Sequence, residues 1–555
     1  MVNNMNKKVR LRYDRIVICI FALVVILIFV VKGISFALKK INPEMKNIYL
    51  ASTSSIINLY DKDKNKISDI FRGSKASLYV DSEKDELVKI KIADKNYYVE
   101  KKAVVDDYNK VVLDNKIYLR TMTTLLNNNT KIEEIVPKGA TLEIVGFDKL
   151  EKGNPIKYKV KYGAKTGYID SKYLVSSLEE ANKNYDEEGI QKIHAKKSST
   201  YGGKAGELDF YPREKPKFKD NIMPEKVRAF YLNGSAIRKI DEYLEIAKGT
   251  NVNAFIVDIK DDYLAYKSEV AQKLTPSSYK TAISSVEKYK SYIQKIKDNG
   301  YYVVGRITLF KDRNYALDNV SDSITDNSGN LYKHNGSYWP SAFNTNVWEY
   351  NINLALEAVE LFGFNEIQFD YVRFPDGTSS VEKSGTINMK NQYNISKIQA
   401  IQTFLMYAVD ILHEKGVYVS ADVFGESAHE YVNSYGQYWG AISNVVDVIS
   451  AMPYPDHFLA HQYGIAEVVW TNPYKLLTVW CKNYAMKRQS EIPTPAIMRT
   501  WIQAYNTSKS PSVIYDSKKI EEQIKALEES GATGGYMTWS ASSSMVKYKE
   551  IANSL

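Results

Sequence analysis

The sequence predicts a multidomain chain that ends in a (β/α)8 barrel. Three observations lead there. From about Val227 onward, short apolar runs alternate with stretches of helical spacing, the pattern of parallel strands joined by helices. Ionisable and aromatic residues follow those runs, at the strand ends where such barrels carry their active sites. Upstream, segments of period-two alternation follow one long apolar run, so the barrel is the last of several parts.

At 555 residues the chain is too long for one ordinary core. Its 44% hydrophobic, 12% aromatic and 25% charged residues are the composition of folded protein. The net charge of +9 is spread along the chain beyond the N-terminus, and no nucleic-acid motif accompanies it. Nucleic acid is therefore not expected as a partner. The two cysteines, Cys19 and Cys481, are far apart, and Cys19 lies inside an apolar run. Neither a disulfide nor a cysteine metal site is expected, and nothing in the sequence calls for a cofactor.

The run 16–31 is apolar throughout and would span roughly 24 Å as a helix. Past Lys32 it continues to Leu38 and reaches about bilayer thickness. Lys7, Lys8, Arg10, Arg12 and Arg15 precede it against a single acid, Asp14. The positive-inside rule puts residues before the run in the cytoplasm and those after about residue 40 outside. Ser35-Phe36-Ala37 is a candidate cleavage site, but the apolar core exceeds the usual signal-peptide length, which favours an uncleaved signal anchor over 1–40.

Residues 50–108 and 109–176 read as two small all-β domains. The second carries Ile117-Tyr-Leu-Arg120, a Val136-Pro-Lys-Gly139 turn, Tyr158-Lys-Val-Lys-Tyr162 and Thr166-Gly-Tyr-Ile169 before Tyr173-Leu174. That series resembles bacterial SH3-type domains, and the first stretch looks like a degenerate copy. The resemblance implies wall-peptide binding or a spacer role. The polar stretch 177–222, with its Gly and Pro clusters, reads as a linker with one short helix.

Within 223–555 the strand candidates are 227–231, 253–259, 303–307, 366–370, 417–422, 446–451, 495–499 and 535–539. Helical spacing lies between them at 347–362, 396–415 and 517–530. An open doubly wound sheet would need a phosphate-binding glycine loop after its first strand, and Tyr231-Leu-Asn-Gly-Ser235 is not one.

Strand two leads into Asp258, Lys260 and Asp262, and strand three into Arg306. Strand four leads into Asp370 and Arg373, and strand five into Asp422 and Glu426. Strand six leads into Tyr454 and His457, strand seven into Arg499 and Trp501, and strand eight into Trp539. Charges on so many strand ends exceed what ion pairing needs. Carboxylates supply acid and nucleophile, basic groups orient hydroxyls, and tryptophan faces stack on sugar rings. Glycosidic cleavage needs two carboxyl groups flanking the bond, one protonated and one ionised. Asp370 and Asp422 end adjacent strands; Asp370 is the candidate nucleophile or base, Asp422 the candidate general acid and Glu426 the reserve acid. A salt bridge from Asp422 to Arg373 is the competing structural role. Asp258, Lys260, Asp262, Arg306, Arg373, Tyr454, His457, Arg499, Trp501 and Trp539 are the candidate substrate-binding residues.

Val257-Asp-Ile-Lys-Asp-Asp262, Phe369-Asp-Tyr-Val-Arg-Phe-Pro375, Ala421-Asp-Val-Phe-Gly425 and Tyr454-Pro-Asp-His457 together resemble a bacterial family of glycoside-hydrolase-like barrels. Asp456 stands where that family usually has Ser. The resemblance covers 223–555 and implies a barrel fold and a glycosidase-like role, without a substrate. Gly425-Glu-Ser-Ala-His429 lacks the second glycine of a nucleophile elbow. His457 and His461 lack the glutamate of a zinc-protease motif. The expectation is thus a membrane-anchored extracellular glycosidase acting on peptidoglycan or another extracellular polysaccharide. The alternative is a wall protein that binds glycan without cutting it.

Overall fold

A computed structural model describes residues 13–41, 43–127 and 130–555. Lys7, Lys8, Arg10 and Arg12, on which the predicted orientation rests, lie outside the described residues. The chain divides into two compact units. The first takes in residues up to 117 with 142–161 and 170–172, and the second takes in 118–141, 162–169 and 173–555.

In the first unit, helix Tyr13–Ile41 contains a stretch, Arg15–Ser35, long and apolar enough to cross a membrane. The expected β-rich region is an antiparallel sheet of seven strands, beginning at Met45–Leu50 and ending at Val104–Val105. Its core follows the pleat: Ile48 and Leu50, Ile57 and Leu59, Val88 and Ile90 are buried two residues apart. Glu143–Phe147 and Tyr158–Lys161 pair antiparallel in the same unit.

The boundary expected between 109–176 and the remainder is not where the chain divides. Residues 118–141 belong with the barrel, and hydrogen bonds show why. Ile132 N–H donates to Glu349 (2.7 Å), Tyr407 OH to the Thr130 carbonyl (2.7 Å) and Tyr173 OH to Asp410 (2.6 Å). Residues 177–222 also differ from the linker expected there. They hold helices Leu178–Asn182 and Ile190–Ala195, and Leu208 and Phe210 are buried against Ile398, Val432, Tyr438 and Ala441. His194 bonds Tyr438 OH (2.7 Å) and the Glu491 carbonyl (3.0 Å), and burial lowers its pKa to about 4. Lys215 donates to the carbonyls of Ser443, Asn444 and Val446, closing the end of helix Trp439–Ser443. A few anchors in polar surroundings make this stretch a strap on the barrel.

The barrel strands are β1 (Val227–Leu232), β2 (Ala254–Lys260), β3 (Tyr302–Thr308), β4 (Glu366–Asp370), β5 (Tyr418–Phe424) and β6 (Val448–Met452). Then come β7, in two pieces at Ile497–Met498 and Thr500–Gln503, and β8 (Gly535–Trp539). All pair in parallel. One piece of β7 lies on β6 and the other on β8, so the nine hydrogen-bonded segments close a ring with its joint at Arg499. The strands are buried on both faces, as parallel strands wrapped by helices must be. Helix Thr345–Phe362 stops at Gly363, whose φ of 65° suits glycine. Helix Lys397–Glu414 starts with a Ser396/Gln399 capping box.

Period-two alternation stacks the interior in layers. Along β3 the inward residues are Tyr302, Val304 and Arg306, and along β4 they are Glu366, Gln368 and Asp370. In the lowest layer Arg499 binds both oxygens of Glu366 (2.8 and 3.1 Å), and Tyr302 OH donates to Glu366 (3.1 Å). Above it Gln368 donates to Ser450 (3.2 Å). The top layer is the charged one.

Two tests follow from this packing. Glu366→Ala leaves Arg499 buried and unpaired and should cost about 3–5 kcal/mol in urea denaturation. A chain starting at residue 223 should aggregate or melt well below one starting at 173, because removing Leu208 and Phe210 forfeits about 1.5–3 kcal/mol for each buried side chain.

Candidate active site

The charged layer is organised by Arg306. From β3 its Nη1 donates to Asp258 Oδ1 (2.7 Å) and its Nη2 to Asp370 Oδ2 (2.6 Å), and all three side chains are buried. Tyr231 OH donates to Asp258 Oδ2 (2.7 Å), and burial pushes the Asp258 carboxyl up to about 7 despite the arginine. The other oxygen of Asp370 accepts from Tyr371 N–H (2.6 Å). Tyr371 sits at φ 48°, a left-handed conformation that a tyrosine adopts at a cost of order 1 kcal/mol or more. The neighbouring strand end holds it there: Leu309 N–H donates to the Asp370 carbonyl and Phe310 N–H to that of Tyr371.

Asp422 has a different environment. Its side chain is buried, Oδ1 accepts from Trp501 Nε1 (2.9 Å), and Oδ2 has no partner among the described residues. Desolvation first, and the negative charge of Asp370 second, hold its pKa well above the carboxylate range. The salt bridge to Arg373 does not form: Arg373 pairs with Asp376 (2.9 Å) and lies 4.4 Å from the Phe424 ring centre.

Asp370 and Asp422 line one cavity of about 190 Å3 at the barrel mouth. Of the other sequence candidates, Asp262, Arg306, Arg373, Tyr454, His457, Trp501 and Trp539 also line it. Asp258 lies behind Arg306. Lys260 turns away, because an irregularity in register between Asp258 and Lys260 rotates the end of β2, and it pairs with buried Asp312 (2.6 Å). Arg499 belongs to the lowest layer with Glu366. Trp501 is buried, so its indole serves Asp422 through N–H rather than offering a face to a ring. Glu426 opens onto an adjoining groove and accepts from Tyr431 OH and Tyr435 OH (3.0 Å).

Asp261, Lys311, Tyr371, Phe424 and Met452 also line the cavity. Asp261 and Tyr371 stand inside the quoted motifs and were open to selection; Lys311 and Met452 carry no such signal. Among the described residues, no group of three or more His, Cys, Asp or Glu is arranged to hold a metal ion. Ser427 bonds Gln437 and His429 bonds Tyr463, which leaves them unconnected as a nucleophile and base. His457 and His461 sit near short 3-10 turns, not on one helix face.

A family model described as a putative glycosyl hydrolase domain matches residues 229–545, more than half of the chain. The chain belongs to this glycosyl hydrolase family. The match runs from within β1 through β8 and takes in every residue that lines the cavity. A hypothetical protein from Ruminiclostridium thermocellum is 30% identical, with 35% of this chain and 97% of that one covered, at a TM-score of 0.30. The PgaB (BpsB) glycoside hydrolase domain from Bordetella bronchiseptica is 11% identical, covering 59% and 99%, at 0.42. A chitobiase from Flavobacterium johnsoniae is 11% identical, covering 59% and 47%, at 0.40. No curated protein matches the chain.

The raised pKa of Asp422 has a consequence for stability. Above about pH 4 the unfolded chain releases this proton while the folded protein keeps it. Stability contributed here is therefore greatest below the unfolded value and declines as pH rises to the folded value. Asp422→Asn, which still accepts from Trp501, should match the parent in acid and exceed it at neutral pH. Denaturation midpoints measured across pH 4 to 8 check this; equal slopes for both proteins would contradict it.

Proposed function

We propose that the barrel hydrolyses O-glycosidic bonds in an extracellular polysaccharide, with Asp422 as general acid and Asp370 as nucleophile or base. The observation that carries the proposal is the contrast between two carboxyl groups in one cavity. Asp422 is desolvated, which favours its protonated form, and its Oδ2, without a partner among the described residues, is free to donate to a leaving oxygen. Asp370 has its negative charge matched by Arg306 and is oriented by Tyr371 N–H. Opposed environments for paired acids are what glycosidic cleavage requires. Arg373, His457, Asp262 and Tyr454 line the same cavity and would orient hydroxyls, and Trp539 offers a partly exposed ring beside them.

Helix Tyr13–Ile41 supports a signal anchor that holds the bulk of the chain outside a bacterial membrane. A barrel tethered there meets wall glycan first, so peptidoglycan or a secondary wall polymer is the leading substrate. The SH3-like reading of the N-terminal β-rich region supports the same location.

The test is release of new reducing ends from wall glycan and exopolysaccharide fractions by the full chain in detergent. Asp370→Asn and Asp422→Asn should each lower the rate by about 10²–10⁴, the usual contribution of an acid or base. Glycan binding retained without turnover in the parent and both variants would instead identify a glycan-binding wall protein. Trp501→Phe removes the one hydrogen bond that lowers the Asp422 pKa, so the alkaline limb of the rate profile should move to higher pH. An unmoved limb would take the general-acid role away from Asp422.

A further inference from the structure

Beside the cavity, on the β5 and β6 side of the barrel mouth, lies a second and larger hollow of about 600 Å3. Phe424, Met452 and His457 form part of the wall of both, so the two spaces adjoin across shared side chains. The cavity at Asp370 and Asp422 is smaller than a typical small-molecule pocket, whereas the second hollow falls well within that range. A ligand of one sugar ring would leave the larger space unused.

The hollow is built for a ring-rich, hydroxyl-bearing chain. Leu459, 76% exposed, and Tyr431, 49% exposed, give it apolar surface that no segment among the described residues covers. Between them stand fixed polar groups. Glu426 is oriented by Tyr431 and Tyr435, and Asp456 by Tyr505 OH (2.8 Å). Lys509 reaches in from the loop after β7, over the Trp470 ring. Apolar faces with flanking hydrogen-bonding groups match the two faces and rim of a pyranose. Two carboxylates against one lysine oppose a phosphate- or uronate-bearing unit at this position.

Resting on the glycosidase reading, we infer that this groove binds further, uncharged sugar units of the chain whose bond lies between Asp370 and Asp422, so that the enzyme cuts within polymers rather than trimming their ends. Glu426 then holds hydroxyls of a neighbouring unit instead of serving as an acid. Because Leu459 and Tyr431 are exposed and outside the cavity, changing them leaves the barrel interior intact.

The experiment uses the full chain in detergent with peptidoglycan glycan strands freed of stem peptides, their lactyl carboxyls capped as amides so that the strands are uncharged, and sorted by length. Binding is measured on the non-cleaving Asp422→Asn background, and products are sized with the parent. Long strands should bind at least about tenfold more tightly than the disaccharide, and Leu459→Ala with Tyr431→Ala should erase that difference. The parent should release products of mixed intermediate length from the first time points. A length preference that survives the double substitution, equal affinity at all lengths, or no binding of any strand overturns the groove. Length-dependent binding without turnover in the parent keeps the groove and removes the glycosidase reading. Turnover that yields only terminal units, with no length preference, keeps the glycosidase and removes the groove.

Discussion

One buried cation organises the mouth of this barrel. Arg306 is held between Asp258 and Asp370 in a layer with little water, where an unpaired guanidinium would be strongly unfavourable. Its two bonds settle several things together. They fix the rotamer of Asp370, they draw Asp258 and Tyr231 into the same network, and they leave Asp422 across the cavity without a cation of its own. The difference between the two carboxyl groups is therefore a property of how one arginine is shared. Replacing Asp370 removes the negative charge that helps to raise the Asp422 pKa.

The layers below make that arrangement possible. A polar barrel interior is stable when each polar layer is internally satisfied, and the Glu366–Arg499–Tyr302 group meets that condition near the floor. Gln368 and Ser450 separate it from the top. Outside the ring, the strap of residues 177–222 covers apolar helix surface and caps a helix end with Lys215, so the barrel's folding unit extends beyond its eight strands.

Much of the barrel was legible in the sequence. Short apolar or alternating runs between helical stretches marked the strands, so 366–370 and 535–539 were placed to the residue and others within two or three. Strand seven was harder, because its two pieces are short and Arg499 between them faces inward in place of an apolar residue. The acids at the ends of β4 and β5 were legible because charge at a strand end is rarely accidental. Lys260 shows the limit of that reasoning: strict alternation sends it inward with Asp258, and one register irregularity sends it elsewhere. The strap escaped because two buried anchors in a long polar stretch leave no periodic signal. The partners of Arg306 were equally invisible, since pairing across strands depends on three-dimensional proximity that residue order does not carry.

The interrupted seventh strand gives the ring a seam. Two residues on one side of Arg499 pair with β6 and four on the other pair with β8, and Arg499 N–H itself donates to the Ile449 carbonyl (3.1 Å) at the joint. The longer piece carries Trp501, whose Nε1–H is accepted by Asp422 Oδ1. A displacement of that piece would withdraw the donor and raise the proton affinity of the acid. The position of one short strand and the readiness of Asp422 to part with its proton are thereby tied through a single hydrogen bond.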